Sequence, residues 1–475
     1  MLSSLPIAVL ALLLPHVFST PAPQQQPNGL SMQLRRKVRT RSIDDAGLWA
    51  KNQREGLVAK YGGASSSRRR STGTNLIVNQ QGDSSYYGSL ALGTPAVSFD
   101  VILDTGSADL WVAGSDCSIG CNSVPTFDSG SSSTFVNKST SFDITYGSGE
   151  ALGTLATETV QMAGFSVSNQ VFAVCDAVSS GLLTSPVSGL LGLAWESIAS
   201  SGATPLWQTL ASSGAWDSPL MAFQLTRFLN QSKTQDQEAG GSFTMGFTNT
   251  SLYTGDIEYI DLPTSTNTYW LLPITAITVQ GTSISVASGT DSYGAIDTGT
   301  TLVGGPADEI AAIYAQIADS QAGTGNYEGY YLYPCSTDVV VTLSFGGSSW
   351  AVNSADFQLQ EIGGGTCVGS FFELTTGGSA PSWIIGDTFL KNVYSVFRYN
   401  PASVGFAKLS DVALAQNGDV NLAVPSATIG SVAAAATAGS SSSSKTGSSS
   451  NGASPTTRTP VFFSLAAALV VLANL

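Results

Sequence analysis

Phe99-Asp100-Val101-Ile102-Leu103-Asp104-Thr105-Gly106-Ser107-Ala108-Asp109-Leu110-Trp111-Val112 is the stretch on which the reading of this 475-residue chain turns. An apolar strand runs into an acid, a threonine and a glycine, then leaves through Leu110-Trp111-Val112. A carboxylate at the end of an apolar strand is costly unless it is hydrogen-bonded or put to chemical use. Far downstream, Ala295-Ile296-Asp297-Thr298-Gly299-Thr300-Thr301-Leu302 repeats the design. One Asp-Thr-Gly alone reads as an ordinary turn. Two matched copies point to a paired-acid site.

A second echo strengthens the first. Gly189-Leu190-Leu191-Gly192-Leu193-Ala194 follows Asp104, and Trp383-Ile384-Ile385-Gly386-Asp387 follows Asp297, at spacings that differ by one residue. An acid turn followed by an apolar-apolar-Gly strand, twice over, reads as duplication of one lobe. Between the copies, Phe142 to Gly153 has two alternating arms around a Gly-rich tip, the pattern of a hairpin with Tyr146 near its end. Alternating runs also occur at Leu76-Ile77-Val78 and Tyr86 to Gly93. With 50 glycines and few long helical patterns, the composition predicts an all-β fold, long enough for two domains or one bilobal unit. One helix is expected over Ala307 to Asp319, after Pro306, with Ile310, Ile313, Tyr314 and Ile317 as its apolar stripe.

Charge and composition exclude several functions. Eleven of the 19 Lys and Arg but only three of the 33 acids lie in residues 1–70, so a basic head precedes a strongly acidic body. An acidic body argues against nucleic-acid binding, which needs a positive surface to meet phosphates. The one histidine, His16, lies in the N-terminal apolar segment. That removes Ser-His-Asp and Cys-His hydrolases and a His-ligated zinc site together. Acid–base chemistry then falls to carboxylates, Tyr, Lys or Cys.

The ends of the chain read as processing segments. Residues 1–19 form a signal peptide, too short for a membrane span. Residues 20–70 form a basic prosegment, with a helix-like run from Asp44 to Lys60 and a protease target at Arg68-Arg69-Arg70; a solvated basic linker is the other reading. Either puts the mature start near Ser71. Residues 411–451 read as a Ser/Ala/Thr-rich stalk whose low-complexity part, from 426, cannot build a core. Residues 452–475 read as a removed GPI-attachment signal, with Asn451 as the attachment residue; a true span or plain secretion are the alternatives. The expected location is the secretory route and the cell surface, at the plasma membrane or wall. Sequons at Asn137, Asn230 and Asn249 are candidate glycan sites. Cys117 and Cys121 suit a small disulfide loop better than a metal clip, and the odd Cys175 suits a buried strand thiol better than a catalytic or intermolecular one.

Taken jointly, Asp104-Thr105-Gly106-Ser107 with Leu110-Trp111-Val112, the hairpin Tyr146-Gly147-Ser148-Gly149, Leu191-Gly192-Leu193-Ala194, Asp297-Thr298-Gly299-Thr300 and Ile385-Gly386-Asp387 resemble the pepsin-like aspartic proteases over roughly residues 75–410. The closing runs Phe389 to Phe397 and Val404 to Ala407 match too, and the likeness extends to fungal GPI-anchored cell-surface members. The resemblance implies a bilobal β fold with lobes at 71–252 and 253–410 and a cleft between them. It implies that Asp104 and Asp297 share a proton and activate water, with no covalent acyl-enzyme, no metal and no cofactor. Thr105 and Thr298 would tie the two turns together, Ser107 and Thr300 would bond the outer carboxylate oxygens, and Gly106 and Gly299 would complete the turns. Tyr146, with Gly147 and Ser148, would form a flap over substrate, held by Trp111. Disulfides Cys117–Cys121 and Cys335–Cys367 are implied as well. The implied function is an acid endopeptidase acting on polypeptides, made as a zymogen inhibited by its own prosegment, and a monomer.

Three positions depart from the family pattern. Asp109 stands where relatives commonly have Asn, and reads as a solvated acid or a local adjustment of charge. Arg398 stands where an Asp is common, which puts that contact network in question. Ser148 leaves the flap without a carboxylate beside Gly147 to attract a substrate Lys. The rival readings are a catalytically dead, wall-associated binding homologue and a processing protease selective for basic pairs.

Overall fold

The computed structural model describes residues 71–231, 233–263, 267–375 and 380–439. The segments expected to be a signal peptide, a prosegment ending at Arg68–Arg70 and an attachment signal, with Asn451, lie outside the described residues. The first described residue is already held: the Ser71 amide donates to the Ala215 carbonyl at 2.9 Å.

The strand Val97–Asp104 buries Phe99, Val101 and Leu103 on one face, as its alternation requires. It pairs antiparallel with Ser85–Leu92 and parallel with Val187–Gly192, so that Asp104 stands opposite Gly192. Leu110–Ala113 then returns antiparallel along Val187–Gly192. A Cβ on Gly192 would lie 2.4 Å from the backbone of Ala108, which is why the turn admits only glycine there. The second copy follows the same plan. Tyr293–Ile296 pairs parallel with Trp383–Ile385, Val303–Gly305 returns antiparallel, and a Cβ on Gly386 would lie 2.1 Å from the Thr300 carbonyl. The duplication legible in the chain is thus a duplication of topology.

Among the described residues the strands form one sheet of 14 and smaller sheets of five, four and four. The large sheet does not respect a boundary at residue 253. Val393–Arg398 pairs with Leu220–Leu225, Ser403–Leu409 pairs with both Val393–Arg398 and Tyr253–Asp261, and so the closing strands are built into the sheet of the first lobe. Aromatic packing fills this junction, with Trp195, Trp207, Trp270, Phe397 and Phe223 in a chain of ring contacts.

A buried ion cluster spans the same junction. Lys391 Nζ lies 2.7 Å from Asp83 Oδ2 and 2.9 Å from Asp356 Oδ1. Arg227 donates through two nitrogens to Asp356, and Asp83 also accepts the amides of Phe228 and Leu229. Burial alone would raise the Asp356 pKa, but Lys391 and Arg227 outweigh it and hold the carboxyl below its ordinary range.

Several expectations are corrected. The helix covers Ala307–Tyr314, not Ala307 to Asp319; beyond Ala315 the amides of Gln316, Ile317 and Ser320 bond three residues back, and Asp319 adopts φ 59°. The predicted stripe is nonetheless buried throughout. Arg398 has its own network: it donates to the Pro401 carbonyl and Ser403 Oγ and lies 4.0 Å over the Tyr259 ring. The segment read as a stalk from residue 411 is packed for much of its described length. It contains a helical turn, Asp411–Leu414, and a strand, Ala434–Thr437, with Ala434 in the core. Alanine-rich sequence was mistaken for coreless sequence; small side chains instead permit close approach to a neighbouring strand.

Candidate active site

Asp104 and Asp297 leave the ends of equivalent strands and meet. Both are buried, 5% and 8% exposed. Each overlies the glycine of the opposite turn: a Cβ on Gly106 would be 2.5 Å from the Asp297 carboxylate, and one on Gly299 would be 2.2 Å from Asp104 Oδ1. No other residue fits at either glycine without displacing a carboxylate.

The inner and outer oxygens are held alike in both copies. Gly106 N donates to Asp104 Oδ1, and Gly299 N to Asp297 Oδ1, each at 2.8 Å. Ser107 Oγ donates to Asp104 Oδ2 at 2.5 Å and Thr300 Oγ1 to Asp297 Oδ2 at 2.7 Å. Beneath them, Thr105 Oγ1 donates to the Ile296 carbonyl at 2.8 Å and Thr298 Oγ1 to the Leu103 carbonyl at 2.7 Å. Burial first, and then the charge of Asp297, raises the Asp104 pKa well above the usual carboxylate range.

The hairpin Val136–Tyr146 with Gly149–Met162 carries Tyr146 next to its tip, opposite Gly149. Trp111 Nε1 donates to Tyr146 OH at 2.7 Å. Trp111 itself is fully buried on its strand. Gly147 and Ser148 form the exposed tip, where a Cβ on Gly147 would touch nothing within 4 Å.

Asp109 is corrected: it is 3% exposed, not solvated, and accepts the amides of Ser200 at 2.7 Å and Ser201 at 3.1 Å. Its carboxylate offers two acceptors where an amide offers one, which accounts for an acid at this position. Both disulfides are formed, Cys117–Cys121 and Cys335–Cys367, and Cys175 is a buried strand thiol. Of the sequons, Asn137 is exposed and accepts the Ser139 amide, Asn230 donates to the Gln358 carbonyl, and Asn249 accepts from Ser251.

Two residues near the pair were not singled out from sequence. Burial raises the half-buried Tyr269 phenol, and the charges of Asp297 and Asp104 raise it further. Asp387 is buried with Oδ1 unpartnered among the described residues. Burial raises its pKa, Lys391 pulls it down, and Asp297, Asp83 and Asp104 push it up again, with a net rise. No motif marks Tyr269; Asp387 lies in the apolar-Gly strand and in the Ile385-Gly386-Asp387 motif, neither of which gives its side chain a role.

The comparisons with known proteins agree with this geometry. A family model described as eukaryotic aspartyl protease matches residues 85–409. The chain is 46% identical over 383 residues to Major aspartyl peptidase 1 of Cryptococcus neoformans var. grubii, covering 78% of this chain and 76% of that protein. It is 36% identical to an aspartic protease of Phaffia rhodozyma, over 72% of this chain and 80% of that one. It is 34% identical to pepsin A of Sus scrofa, over 69% of this chain and 82% of the pepsin. The chain belongs to the eukaryotic aspartyl protease family and is an aspartic endopeptidase acting on polypeptides.

Proposed function

We propose that Asp104 and Asp297 are the catalytic pair and share one proton. The observation that carries this reading is the reciprocal crossing of the two carboxylates over each other's glycine. Two acids so close cannot both ionise cheaply, so the pair titrates as a unit. In the singly protonated state the ionised carboxylate takes a proton from water as its oxygen attacks the scissile carbonyl carbon. The other carboxyl gives its proton to the carbonyl oxygen, leaving a neutral gem-diol. Collapse of the gem-diol breaks the C–N bond as the carboxyl that took the water proton gives it to the amine nitrogen and the other carboxylate takes one back from a gem-diol hydroxyl. Ser107 and Thr300 orient the outer oxygens, and Tyr146, held by Trp111, closes over the substrate and limits bulk water.

The enzyme is made as a zymogen, inhibited by its basic residues 20–70 through their charge attraction to the acidic body and freed as carboxylates protonate. It acts as a monomer, since one chain supplies both aspartates. The small residues around Asn451 and the apolar tail after Pro460 support a GPI-anchored enzyme at the cell surface. Titration of the purified mature enzyme with a statine-containing peptide tests the catalytic reading: stoichiometric loss of activity near pH 4 supports it, and unaffected hydrolysis contradicts it. Release of the cell-bound enzyme by a phosphatidylinositol-specific phospholipase tests the anchor, which fails if the enzyme stays bound.

A further inference from the structure

The family match ends at residue 409, but the packed chain does not. After the turn Asp411–Leu414, Gly418 N donates to the Arg227 carbonyl at 2.8 Å, and Asn417 Oδ1 accepts the Arg227 amide at 2.9 Å. Residues 424–427 then share a cleft with Tyr87, Phe99, Pro125 and Pro186 of the first lobe. Gly164 N donates to the Ile429 carbonyl at 2.7 Å, and Ala433 N donates to the Gly164 carbonyl at 2.6 Å. Ala434–Thr437 runs parallel to Phe165–Ser168, and Ala438 N donates to the Ser168 carbonyl at 3.0 Å.

Among the described residues, the site of that pairing is an otherwise open edge. The far half of the strand Phe165–Val178 is covered by Trp111–Ala113, which pairs with Ala173–Cys175. The near half has Val160–Met162 on one side and, among the described residues, only the tail on the other. An open edge next to buried Phe165 and Val167 invites pairing with another chain. The tail suits it: Ala434, Ala436 and Ala438 alternate toward the core, and their small side chains allow the backbone to come close.

We infer that residues 417–439 are a strap integral to the folded enzyme. It completes the first lobe's sheet and fastens the end of the second lobe to the first. It also makes Gly439, beside Lys138 and the Ser201–Thr204 loop, the point from which the following chain departs.

Two truncations and one substitution test this. A chain stopped after Gly439 melts with the full-length enzyme. A chain stopped after Leu409 melts about 3 °C or more lower and self-associates through the Phe165–Ser168 edge on gel filtration. In the full chain, hydrogen exchange at residues 433–438 is slow, and Ala434→Glu makes it fast while peptide hydrolysis is retained. Should the shorter truncation fail to fold, exchange in the intact enzyme still decides. Amides 433–438 exchanging like an unstructured peptide, or a Leu409-stopped chain as stable and monomeric as the full one, would overturn the inference.

Discussion

Thr105 and Thr298 each accept the other's amide proton, at 2.9 and 3.1 Å, through the hydroxyl that donates to the carbonyl preceding the other's aspartate. The four bonds lock the two Asp-Thr-Gly turns to each other. Thr298→Val leaves the Thr105 amide and the Leu103 carbonyl unpaired in a buried place, at a cost of about 2 kcal/mol or more. The expected outcome is a lower melting temperature and a fall in kcat with KM nearly unchanged, and Thr298→Ser restores both. An unaffected kcat in a destabilised Thr298→Val enzyme would show that the lock serves the fold alone.

The flap contact makes a coupled prediction. Trp111→Phe and Tyr146→Phe each remove the indole–phenol bond, so each lowers kcat/KM, by roughly 2- to 10-fold for a bond of this kind. The double variant loses little beyond the worse single one, because both act through one contact. Losses that simply add would mean that the two rings act separately.

Lys391→Met strips the buried Asp83 and Asp356 of their cation and destabilises the enzyme by about 3–5 kcal/mol. Burial alone would lower the Lys391 pKa, but Asp356 and Asp83 raise it overall. Its contribution is therefore full below the ordinary lysine value and is lost only as pH rises through the higher folded one. The Asp356 contribution is present above the ordinary carboxyl value and lost as pH falls through its lowered one. The stability gap between wild type and Lys391→Met, read from denaturant midpoints, holds across acid and neutral pH and narrows only below the ordinary Asp value of about 3.9.

Other carboxyls act in the opposite sense. Burial raises the pKa of Asp104, Asp387 and Asp100. Groups raised in the folded state favour it fully below the unfolded pKa, and that support drains away as pH rises through the folded values. Denaturant midpoints therefore fall from about pH 4 toward neutral, and Asp387→Asn flattens part of the decline. A midpoint that climbs over this range would contradict the assignment.

The aspartates were legible because a carboxylate ending an apolar strand has few uses, and because the arrangement occurs twice. The hairpin that carries Tyr146 was legible from its alternating arms and Gly-rich tip, and the β architecture from alternation such as Phe99, Val101 and Leu103. Arg227, Asp356 and Lys391 were not, because long-range pairing leaves no local pattern. Asp109 was misread for the same reason: its amide partners are some ninety residues away. The Ala434–Thr437 strand was missed because small residues that fit against a neighbouring strand have the composition of a linker.

The central claim is that both carboxylates act, and act together. Its most direct measurement is kcat on a peptide substrate near pH 4 for wild type, Asp104→Asn and Asp297→Asn, each checked for an unchanged fold by circular dichroism. We predict that either substitution lowers kcat by at least about 100-fold and that the double variant is no worse than the weaker single one. Either single variant retaining activity within tenfold of wild type would contradict the account.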